Sequence, residues 1–486
     1  MKNKIKYLAI LAIIMLPLMA CSDDDKSAVE PPVEEESIMP KAELRGVWMA
    51  TTSEIDWPHQ KYDEAEQKQY YIDYLDKFAE ANVNAIFFQV RPNADAFYDS
   101  PYESWSKSIT GTAGQDPGYD VLKFLIDEAH ARNIEFHAWL NPYRIAMRAS
   151  KDVTFSALDP KIDPALVKDY DRIRIYNPAL PEVQDRIVDI VKDILNKYDV
   201  DGIHMDDYFY PDPGYYANLN DTAEYRIYGS VYATVDSFRF ANVDKVIKRI
   251  HETVKDVKPG AVFSISPTSS ISYNNSLYAD VVKWYENQWV DILIPQVYSA
   301  TGALTNTSSF NRLVNDWNQY YKTKVALMIG HYLSRVDDGT SSQFTSAQEI
   351  VDQIAIVRRQ SGTHGSLLFS AKCFFDNNGH GKLGVIDALK TDVFQNPAVR
   401  PFVGRKTEAE PTPPTNVVLN GTVLTWNVSS GLTSVVYLVS EGQTKAKIAT
   451  ITASNTYAIS EKGKYFVTTV NRDNVESEIS NEVAYN

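Results

Sequence analysis

Two adjacent carboxylates, Asp206 and Asp207, lie near the end of the stretch VDGIHMDDYFYP, which begins at Val200. Side chains alternate along a strand, so His204 and Asp206 share one face and the apolar residues beside them share the other. This pattern is typical of a closed barrel whose polar face reaches the barrel mouth. Paired carboxylates next to aromatic residues suit glycoside hydrolysis. One carboxylate attacks the sugar or activates water, and the other, with a raised pKa, protonates the leaving oxygen.

The roles of the acidic residues follow in part from their positions. Asp206 is the best nucleophile or charge stabiliser, because it points into the mouth from a rigid strand. Two residues compete for the role of general acid. Asp207 is adjacent and falls on the loop, whereas Asp95, in QVRPNADAFY after the second predicted strand, could reach across from a neighbouring loop. The sequence leaves this choice open.

Polar and aromatic residues at the ends of several predicted strands are candidates for binding a substrate. In a barrel of parallel strands the chemistry takes place at the C-terminal ends of the strands. By parity we expect both Gln89 and Arg91 to face inward on the second strand. The predicted substrate-binding residues are Gln89, Arg91, His137, Trp139, Asn141, Tyr143, Arg144, His204, Tyr208, Gln296 and Tyr298. Further aromatics that could form stacking walls for sugar rings are Phe209, Tyr210, Tyr215 and Tyr216.

Metal chemistry is the main alternative for the same residues. His137, His204, Asp206 and Asp207 could form a hard-cation or zinc site. The chain has no HExxH and no tight pair of histidines, so we expect neither metal nor cofactor. It also lacks a GxSxG nucleophile motif, a P-loop and a GxGxxG motif.

Eight strand-like runs alternate with helical patterns between residues 41 and 400, which predicts a (β/α)₈ TIM barrel. The predicted strands are Leu44–Ala50, Val83–Val90, Ile134–Leu140, Val200–Asp206, Ala261–Ser266, Asp291–Tyr298, Val325–Gly330 and Ser366–Ala371. The predicted helices are Gln67–Ala81, Tyr119–Arg132, Pro181–Lys197, Phe240–Val257 and Ala347–Arg359. Long loops are expected over 51–66, 91–117, 141–180 and 207–239.

A second, smaller domain follows the barrel. Residues 401–415 contain PTPPT and predict a linker. Residues 416–486 consist of short alternating runs separated by Asn, Gly and Ser, which predicts a small antiparallel sandwich. The placing of Trp426 on an early strand, with a late Tyr465-Phe466-Val467, resembles a fibronectin type III domain.

The N-terminus predicts export and lipidation. Residues 1–20 combine a basic start with a short apolar run, which is typical of a secretory signal. Leu18-Met19-Ala20-Cys21 resembles a bacterial lipobox, in which Cys21 is lipidated after cleavage; an uncleaved anchor is the alternative. The following SDDD resembles the export signal of surface lipoproteins in Bacteroidetes-type bacteria, and residues 21–40 form an acidic tether. We therefore expect an outer-membrane lipoprotein, on either the periplasmic or the outer face.

Composition restricts the partners of the chain. A formal net charge of −15 and a pI of about 5.1 argue against a nucleic-acid partner, whose phosphates would be repelled. Only two cysteines are present. If Cys21 is lipidated, Cys373 can form neither an internal disulfide nor a zinc-cysteine site. We expect a monomer that acts on a polysaccharide.

Several long motifs resemble the bacterial glycosyl hydrolase-like family ten. They are ELRGVWMATT at Glu43, EIDWP at Glu54, QVRPNADAFY at Gln89, EAHARNIEFHAWLNPYR at Glu128, DGIHMDDYFYP at Asp201 and PQVY at Pro295. The resemblance implies a TIM-barrel glycosidase of the cell envelope, with some relatives linked to cutting peptidoglycan strands stripped of their peptides. A remote likeness of the fourth strand to the α-amylase superfamily favours Asp206 as nucleophile. At the fifth strand, however, Ser266-Pro267 stands where that superfamily has its glutamate acid.

Two other functions are compatible with the same sequence. A barrel that keeps its cleft and lacks the acid would be a non-catalytic glycan-binding surface lipoprotein. A barrel that binds a metal would be a polysaccharide deacetylase or another metal-dependent hydrolase. Glycan binding without product would identify the first, and loss of activity in a chelator would identify the second.

Overall fold

The computed structural model describes residues 38–216, 219–320, 324–375, 384–404 and 407–486. The predicted signal segment, Cys21 and the tether up to residue 37 lie outside these ranges. Within them, no helix combines the length and the hydropathy needed to cross a bilayer.

Eight parallel strands close into a barrel, which confirms the predicted fold class. In chain order the strands of this region are β1 (Leu44–Met49), β2 (Ala85–Arg91), β3 (Glu135–Leu140), β4 (Arg144–Met147), β5 (Val167–Tyr170), β6 (Ile173–Tyr176), β7 (Gly202–Met205), β8 (Val262–Ile265), β9 (Ile292–Leu293), β10 (Ala326–His331) and β11 (Thr363–Phe369). The barrel order is β1-β2-β3-β7-β8-β9-β10-β11, with β11 paired to β1. The sixth barrel strand, β9, is much shorter than predicted, and an isolated bridge at Gln296 continues its pairing.

Helices surround the barrel between the strands. They are α1 (Glu64–Glu80), α2 (Lys107–Thr110), α3 (Val121–Ala131), α4 (Pro181–Lys197), α5 (Thr222–Tyr228), α6 (Val235–Val257), α7 (Ile271–Asn274), α8 (Val281–Glu286), α9 (Phe310–Asn318), α10 (Gln348–Arg358) and α11 (Val385–Ala388). Helix α4 has the predicted bounds, because Pro181 is tolerated in its first turn and its apolar face is buried.

Strand parity divides the core into two layers. Outward residues such as Ile86, Phe88 and Ile203 pack beneath the helices. Inward residues such as Trp48 and Phe87 fill the barrel interior. These two layers position β7. Its outward residues are buried under helices, so its inward residues face the barrel axis.

A small antiparallel sheet, in the order β4-β6-β5, replaces part of the predicted loop over 141–180. The predicted long loop is present between β3 and α4, and part of it pairs into this sheet, which the sequence did not indicate. Its strands have four residues each, too short to show a clear alternation in the sequence. The bidentate ion pair of Arg174 with Asp169 joins β6 to β5, with an Nε–Oδ1 distance of 2.5 Å. This sheet extends the barrel wall on the side of β3.

Two antiparallel sheets form the C-terminal region, consistent with the predicted sandwich. The strands are β12 (Thr415–Asn420), β13 (Val423–Asn427), β14 (Thr433–Ser440), β15 (Lys447–Thr452), β16 (Thr456–Ala458), β17 (Gly463–Val470) and β18 (Val483–Tyr485). Strands β12, β13 and β16 make one sheet, and β15, β14, β17 and β18 make the other. Trp426 is buried in the core, and its indole nitrogen donates to Ser434 at 2.9 Å.

The sandwich is attached to the N-terminal end of the barrel, opposite the mouth. The carboxylate of Glu135, at the start of β3, accepts from Arg400 Nε at 3.0 Å and from Asn474 at 2.9 Å. Arg400 also donates to the carbonyl of Asn133 at 2.8 Å. Burial acts to raise the pKa of Glu135, but the charge of Arg400 and the other donors outweigh it and lower the pKa. This partly buried group of Glu135, Arg400 and Asn474 therefore connects the barrel to the sandwich.

We expect Arg400→Ala to lower the free energy of unfolding at pH 7 by about 1–3 kcal/mol, because it leaves the carboxylate of Glu135 without its charged donor. Since the pKa of Glu135 is lowered by folding, this contribution is present at neutral pH and is lost as the pH falls through that pKa. Urea unfolding measures the change. The matched control is Arg472→Ala, because the Arg472–Asp199 pair is exposed and should contribute less than about 1 kcal/mol. Equal effects of the two substitutions would contradict a special role for Arg400.

Candidate active site

A cavity of about 270 Å³ opens at the C-terminal ends of the barrel strands. Its floor and walls come from strands that are distant in the sequence. The lining residues are Trp48, Ala50, Thr52, Ile55, Gln89, Trp139, Arg144, Asp206, Asp207, Tyr208, Ser266, Gln296, Tyr298, Tyr332 and Phe369. Eight of these were predicted as site residues: Gln89, Trp139, Arg144, Asp206, Asp207, Tyr208, Gln296 and Tyr298. The structure thus brings both adjacent carboxylates into one cavity.

Asp206 lies just after β7 and is held by three donors. Trp139 Nε1 donates to Oδ2 at 3.1 Å, and the side-chain amide of Asn141 donates to Oδ1 at 3.1 Å and to Oδ2 at 3.2 Å. The backbone N–H of Tyr208 is 3.5 Å from Oδ1. Burial raises the pKa of Asp206, while the nearby charge of Arg144 and these donors oppose the rise. These donors and the charge of Arg144 favour the carboxylate form of Asp206, but burial outweighs them and the pKa is raised overall.

Asp207 has a different environment, although it is the next residue. Its Oδ1 accepts one side-chain hydrogen bond, from Gln296 Nε2 at 3.0 Å. Burial, and then the charge of Asp206, raise the pKa of Asp207 to about 7. When the pair holds one proton, that proton therefore belongs on Asp207. Glycoside hydrolysis requires one carboxyl group that is protonated and one that is ionised, and an unequal pair of this kind matches that requirement.

Gln296 orients the carboxyl group of Asp207. Its Nε2 donates both to Asp207 and to the backbone carbonyl of Ser266, the latter at 2.9 Å. Because a carbonyl can only accept, the contact with Ser266 fixes which end of the amide faces Asp207. The amide hydrogen bond favours the charged form of Asp207 and acts to lower its pKa.

For Gln296→Leu we expect the alkaline limb of the pH–rate profile to move to higher pH by about one unit. The variant removes a donor that stabilises the Asp207 carboxylate, so the acid keeps its proton to higher pH. The measurement is kcat/KM between pH 5 and 9. Gln353 is a buried glutamine that bonds to His331 and does not contact Asp207. Gln353→Leu therefore controls for the general effect of losing a buried amide. A limb that moves to lower pH would contradict the assignment of Asp207 as the acid.

An aromatic wall faces the carboxylates across the cavity. Tyr298 lies 4.7 Å from Tyr332 and 5.8 Å from Phe369, measured between ring centroids. Trp48 continues the wall at 6.4 Å from Phe369. Of these four residues, only Tyr298 was predicted as a site residue. Trp48 faces inward on β1, and Tyr332 and Phe369 lie at the ends of β10 and β11. Applying the alternation of side chains to these strands as well would have predicted all three residues.

A layer of polar residues beneath the cavity supports Trp48. The indole nitrogen of Trp48 donates to Nε2 of His204 at 3.1 Å, and Nδ1 of His204 lies 2.8 Å from Ser264 Oγ. An indole only donates, so Nε2 must accept and Nδ1 carries the proton. Burial, and then the nearby His137, lower the pKa of His204 well below its usual value. His204 and His137 therefore lie under the cavity floor and do not line it, contrary to the expectation that they bind substrate.

Arg91 does not line the cavity either, and the prediction that it faces inward was wrong. The pairing of β2 with β3 shifts register between Gln89 and Arg91, so Arg91 is opposite Leu140, an outward residue. Its guanidinium makes a buried bidentate pair with Glu103, at 2.7 and 2.5 Å. It also donates to the backbone carbonyl of Asn141. Arg91 thus supports the loop that presents Asn141 to Asp206.

Arg144 lines the cavity, whereas Asn141, which was also predicted to bind substrate, is not among the lining residues and instead contacts Asp206 and the backbone of Arg144. Oδ1 of Asn141 accepts the backbone N–H of Arg144 at 2.8 Å, which directs its amide nitrogen to Asp206. The guanidinium of Arg144 lies 5.0 Å from the ring of Tyr208, and its Nε donates to Asn93 Oδ1 at 3.0 Å. Among the predicted substrate-binding residues, the cavity is lined by Gln89, Trp139, Arg144, Tyr208, Gln296 and Tyr298.

Two further predicted residues lie away from the cavity lining. Asp95 accepts the backbone N–H of Asn93 at 3.0 Å, inside the loop after β2. Tyr143 is buried among apolar side chains of the outer core. The structure therefore favours Asp207 over Asp95 as the acid, because only Asp207 shares the cavity with Asp206.

Asp56, in the EIDWP motif, connects two cavity-forming loops. Its carboxylate accepts the backbone N–H groups of Ala50 at 2.7 Å and Lys372 at 2.8 Å, and the hydroxyl of Ser370 at 2.8 Å. Burial raises the pKa of Asp56 to about 6, although these donors oppose the rise. The loops after β1 and β11 are thereby held together beside Phe369.

Metal ligation finds no support in the side-chain arrangement. Across the described ranges, no three or more His, Cys, Asp or Glu side chains are placed so that they could hold a metal ion. His204 uses both ring nitrogens in hydrogen bonds within the barrel interior. His137 stacks on Phe87, and its Nε2 lies 3.3 Å from Glu135.

Comparisons with known proteins agree with the geometry. The sequence model described as "Glycosyl hydrolase-like 10" matches residues 43–346. Glycosyl hydrolase YngK of Bacillus subtilis (strain 168) is 35% identical over 424 residues, which cover 82% of this chain and 79% of that protein. Glycosyl hydrolase DigH of Escherichia coli (strain K12) is 34% identical over 373 residues, which cover 68% of this chain and 83% of that protein.

Proposed function

This chain belongs to the glycosyl hydrolase-like 10 family, and on that premise we propose that it is a glycoside hydrolase of the cell envelope. Its substrate is an amino-sugar polysaccharide, in the first place peptidoglycan glycan strands without peptides. The observation that carries the proposal is the unequal pair of carboxyl groups in one cavity. Asp206 has several donors and the charge of Arg144, whereas Asp207 has a pKa of about 7.

In the proposed reaction the two carboxyl groups have different roles. Asp207 gives its proton to the glycosidic oxygen as the bond from that oxygen to the anomeric carbon breaks. Asp206, as the carboxylate, stabilises the positive charge that develops on the sugar, either through space or by bonding to the anomeric carbon. Water then attacks the anomeric carbon, its hydroxyl stays on the sugar and its proton goes to Asp207; where Asp206 had bonded to that carbon, the same attack breaks the bond and frees the carboxylate. Positioned acid catalysis of this kind contributes about 10²–10⁴-fold to the rate.

The cavity favours a sugar ring without a bulky substituent. Its volume of about 270 Å³ is just below the range for small-molecule sites, about 300–1,000 Å³. The ring faces of Tyr298, Tyr332 and Phe369 offer an apolar surface for the C–H groups of a pyranose. A peptide attached to the sugar would have to leave the cavity through its mouth, which is the reason for proposing peptide-free strands.

The envelope location is proposed from the sequence. Residues 1–20 would direct export, and lipidation of Cys21 would anchor the mature protein in the outer membrane. The C-terminal sheets would then form a fibronectin type III-like module that acts as a spacer or a weak binding module. Incorporation of labelled palmitate into the wild-type protein, and its absence from Cys21→Ser, tests the anchor. Equal labelling of both would reject it.

The activity is tested with protein truncated to residues 41–486. Incubation with peptide-free glycan strands should release new reducing ends, with and without a chelator. Intact peptidoglycan serves as the comparison substrate. Loss of activity in the chelator would favour metal-dependent hydrolysis. Binding of the strands without any product would favour a non-catalytic glycan-binding protein instead.

A further inference from the structure

Exposed aromatic and apolar side chains continue from the cavity over one side of the rim. Tyr208 lines the cavity and is 46% exposed. Beyond it, Tyr215 is 71% exposed, Tyr273 is 40% exposed and Met147 is 52% exposed. Single exposed apolar residues are ordinary, but a contiguous group beside a cavity indicates a binding surface. We call Tyr208, Tyr215, Tyr216, Tyr273 and Met147 the outer platform.

The ring of Tyr273 is held in place. Its hydroxyl donates to Asp212 Oδ1 at 2.6 Å. It also packs against Gly214, where a Cβ atom would lie 2.9 Å from the Tyr273 hydroxyl oxygen. The segment that precedes α7 is anchored from below, because Trp317 donates to the carbonyl of Ser269 at 2.8 Å. An exposed ring that is fixed in this way loses little conformational entropy when it binds a ligand.

The neighbouring rings are fixed by the inserted sheet. The hydroxyl of Tyr216 donates to the sulfur of Met147, the last residue of β4, at 3.8 Å. Arg172, in the turn between β5 and β6, lies 5.7 Å from the ring of Tyr216 and donates to the carbonyl of Tyr215 at 3.1 Å. These contacts leave the Tyr215 ring in solvent while they hold its backbone.

The outer platform is continuous with the cavity. Arg144 begins β4, lines the cavity and stacks on Tyr208, and the same strand ends at Met147. On the second side, Asp212 is close enough to Asp207 for its charge to contribute to the raised pKa of that acid. A chain that leaves the cavity beside Tyr208 therefore reaches the other platform rings directly.

We propose that the outer platform binds the part of the glycan chain that extends beyond the cavity. The inference rests on the proposed function, and it adds that the enzyme acts on a polymer and holds several of its units. The cavity has room for about one sugar ring, so further units must lie outside it. Sugar rings present C–H faces that stack on tyrosine, and the phenol hydroxyls can remain hydrated or bonded to the protein.

The test compares peptide-free glycan strands of two lengths, a tetrasaccharide and a dodecasaccharide. For Tyr215→Ala/Tyr273→Ala, the ratio of kcat/KM for the long chain to that for the short chain should fall about tenfold, as expected when aromatic anchors are truncated. Tyr215→Phe keeps the ring and should retain the wild-type ratio. Tyr62→Ala is the matched control, because Tyr62 is 49% exposed and packs against Gly111 away from the platform.

Binding separates failure of this inference from failure of the proposed reaction. Affinity for the two chain lengths is measured by calorimetry in an Asp206→Asn background, where no turnover is needed. The wild-type protein could release no product while Tyr215→Ala/Tyr273→Ala abolishes the higher affinity for the longer chain. That result would support the outer platform and reject the proposed reaction. If both the ratio and the affinity for the long chain are unchanged in the folded double variant, the platform is rejected.

Discussion

Asp206→Asn should lower kcat/KM on a glycan by at least about 10³-fold, because it removes the carboxylate that stabilises the developing positive charge. The amide has nearly the same shape, so it can remain between Trp139 and Asn141 without collapse of the cavity. The measurement is reducing-end release under conditions of excess enzyme as well as steady state, so that a slow residual rate can be quantified.

The same substitution should change the stability of the protein little. Burial raises the pKa of Asp206, so its charged form is less favourable in the folded state than in the unfolded state. For a raised carboxyl pKa, the stabilising contribution is present at low pH and is lost as the pH rises through the folded-state pKa. The new amide nitrogen would face donors such as Trp139 Nε1 or the Tyr208 N–H, and the lost hydrogen bond offsets the gain from removing a buried charge. We therefore expect Tm to change by no more than about 1–3 °C at pH 7. Inactivity combined with a nearly unchanged Tm would show that the loss is chemical.

Two companion variants distinguish the candidate acids. Asp207→Asn should lower kcat/KM by about 10²–10⁴-fold and remove the alkaline limb near pH 7. Asp95→Asn should leave the limb in place, because Asp95 is bonded within its own loop. If Asp95→Asn removes the limb and Asp207→Asn does not, the acid assignment passes to Asp95. Full activity of Asp206→Asn would reject Asp206 itself.

The second large effect is expected in stability, at Arg91. Replacing Arg91 with Leu should lower the free energy of unfolding by about 3–5 kcal/mol, because Glu103 would remain buried as an unpaired charge. In this variant the Glu103 carboxylate would still accept the hydroxyl of Tyr176, at 3.1 Å, but this donor is neutral. Urea unfolding followed by tryptophan fluorescence gives the change in midpoint and slope.

The double variant Arg91→Leu/Glu103→Leu provides the control for this interpretation. Replacing both charges with apolar groups should recover much of the lost stability. Activity should recover less, because the loop carbonyl of Asn141 would still lack the donor that Arg91 supplies. If the double variant is as unstable as the single one, packing of the Arg91 side chain, and not its charge, is what matters.

Much of the barrel was predictable because local rules act strongly there. The eight strands are short apolar runs between amphipathic helices, and α4 begins at a proline and ends as the sequence indicates. Strand parity placed Gln89, Trp139, Gln296 and Tyr298 at the cavity, since alternation holds wherever a strand is regular. The adjacency of Asp206 and Asp207 likewise followed from the sequence.

Parity failed where the backbone departs from a regular strand. The register shift between β2 and β3 turns Arg91 outward, and no residue type in VRPN signals that shift. His137 and His204 have the predicted inward parity, but their depth in the barrel, beneath the cavity floor, depends on the stagger of the strands. The short strands β4, β5 and β6 were missed because pairing, and not local periodicity, makes them a sheet.

The sequence by itself determined that two carboxyl groups stand together at the end of a barrel strand, because that depends only on order and alternation. Only the tertiary structure decided their difference. Trp139, Asn141 and Arg144 converge on Asp206, while Asp207 meets Gln296 and the charge of its neighbour. A pKa depends on burial and on charges in space, which come from strands distant in the sequence. The assignment of Asp207 as the acid therefore rests on the folded barrel.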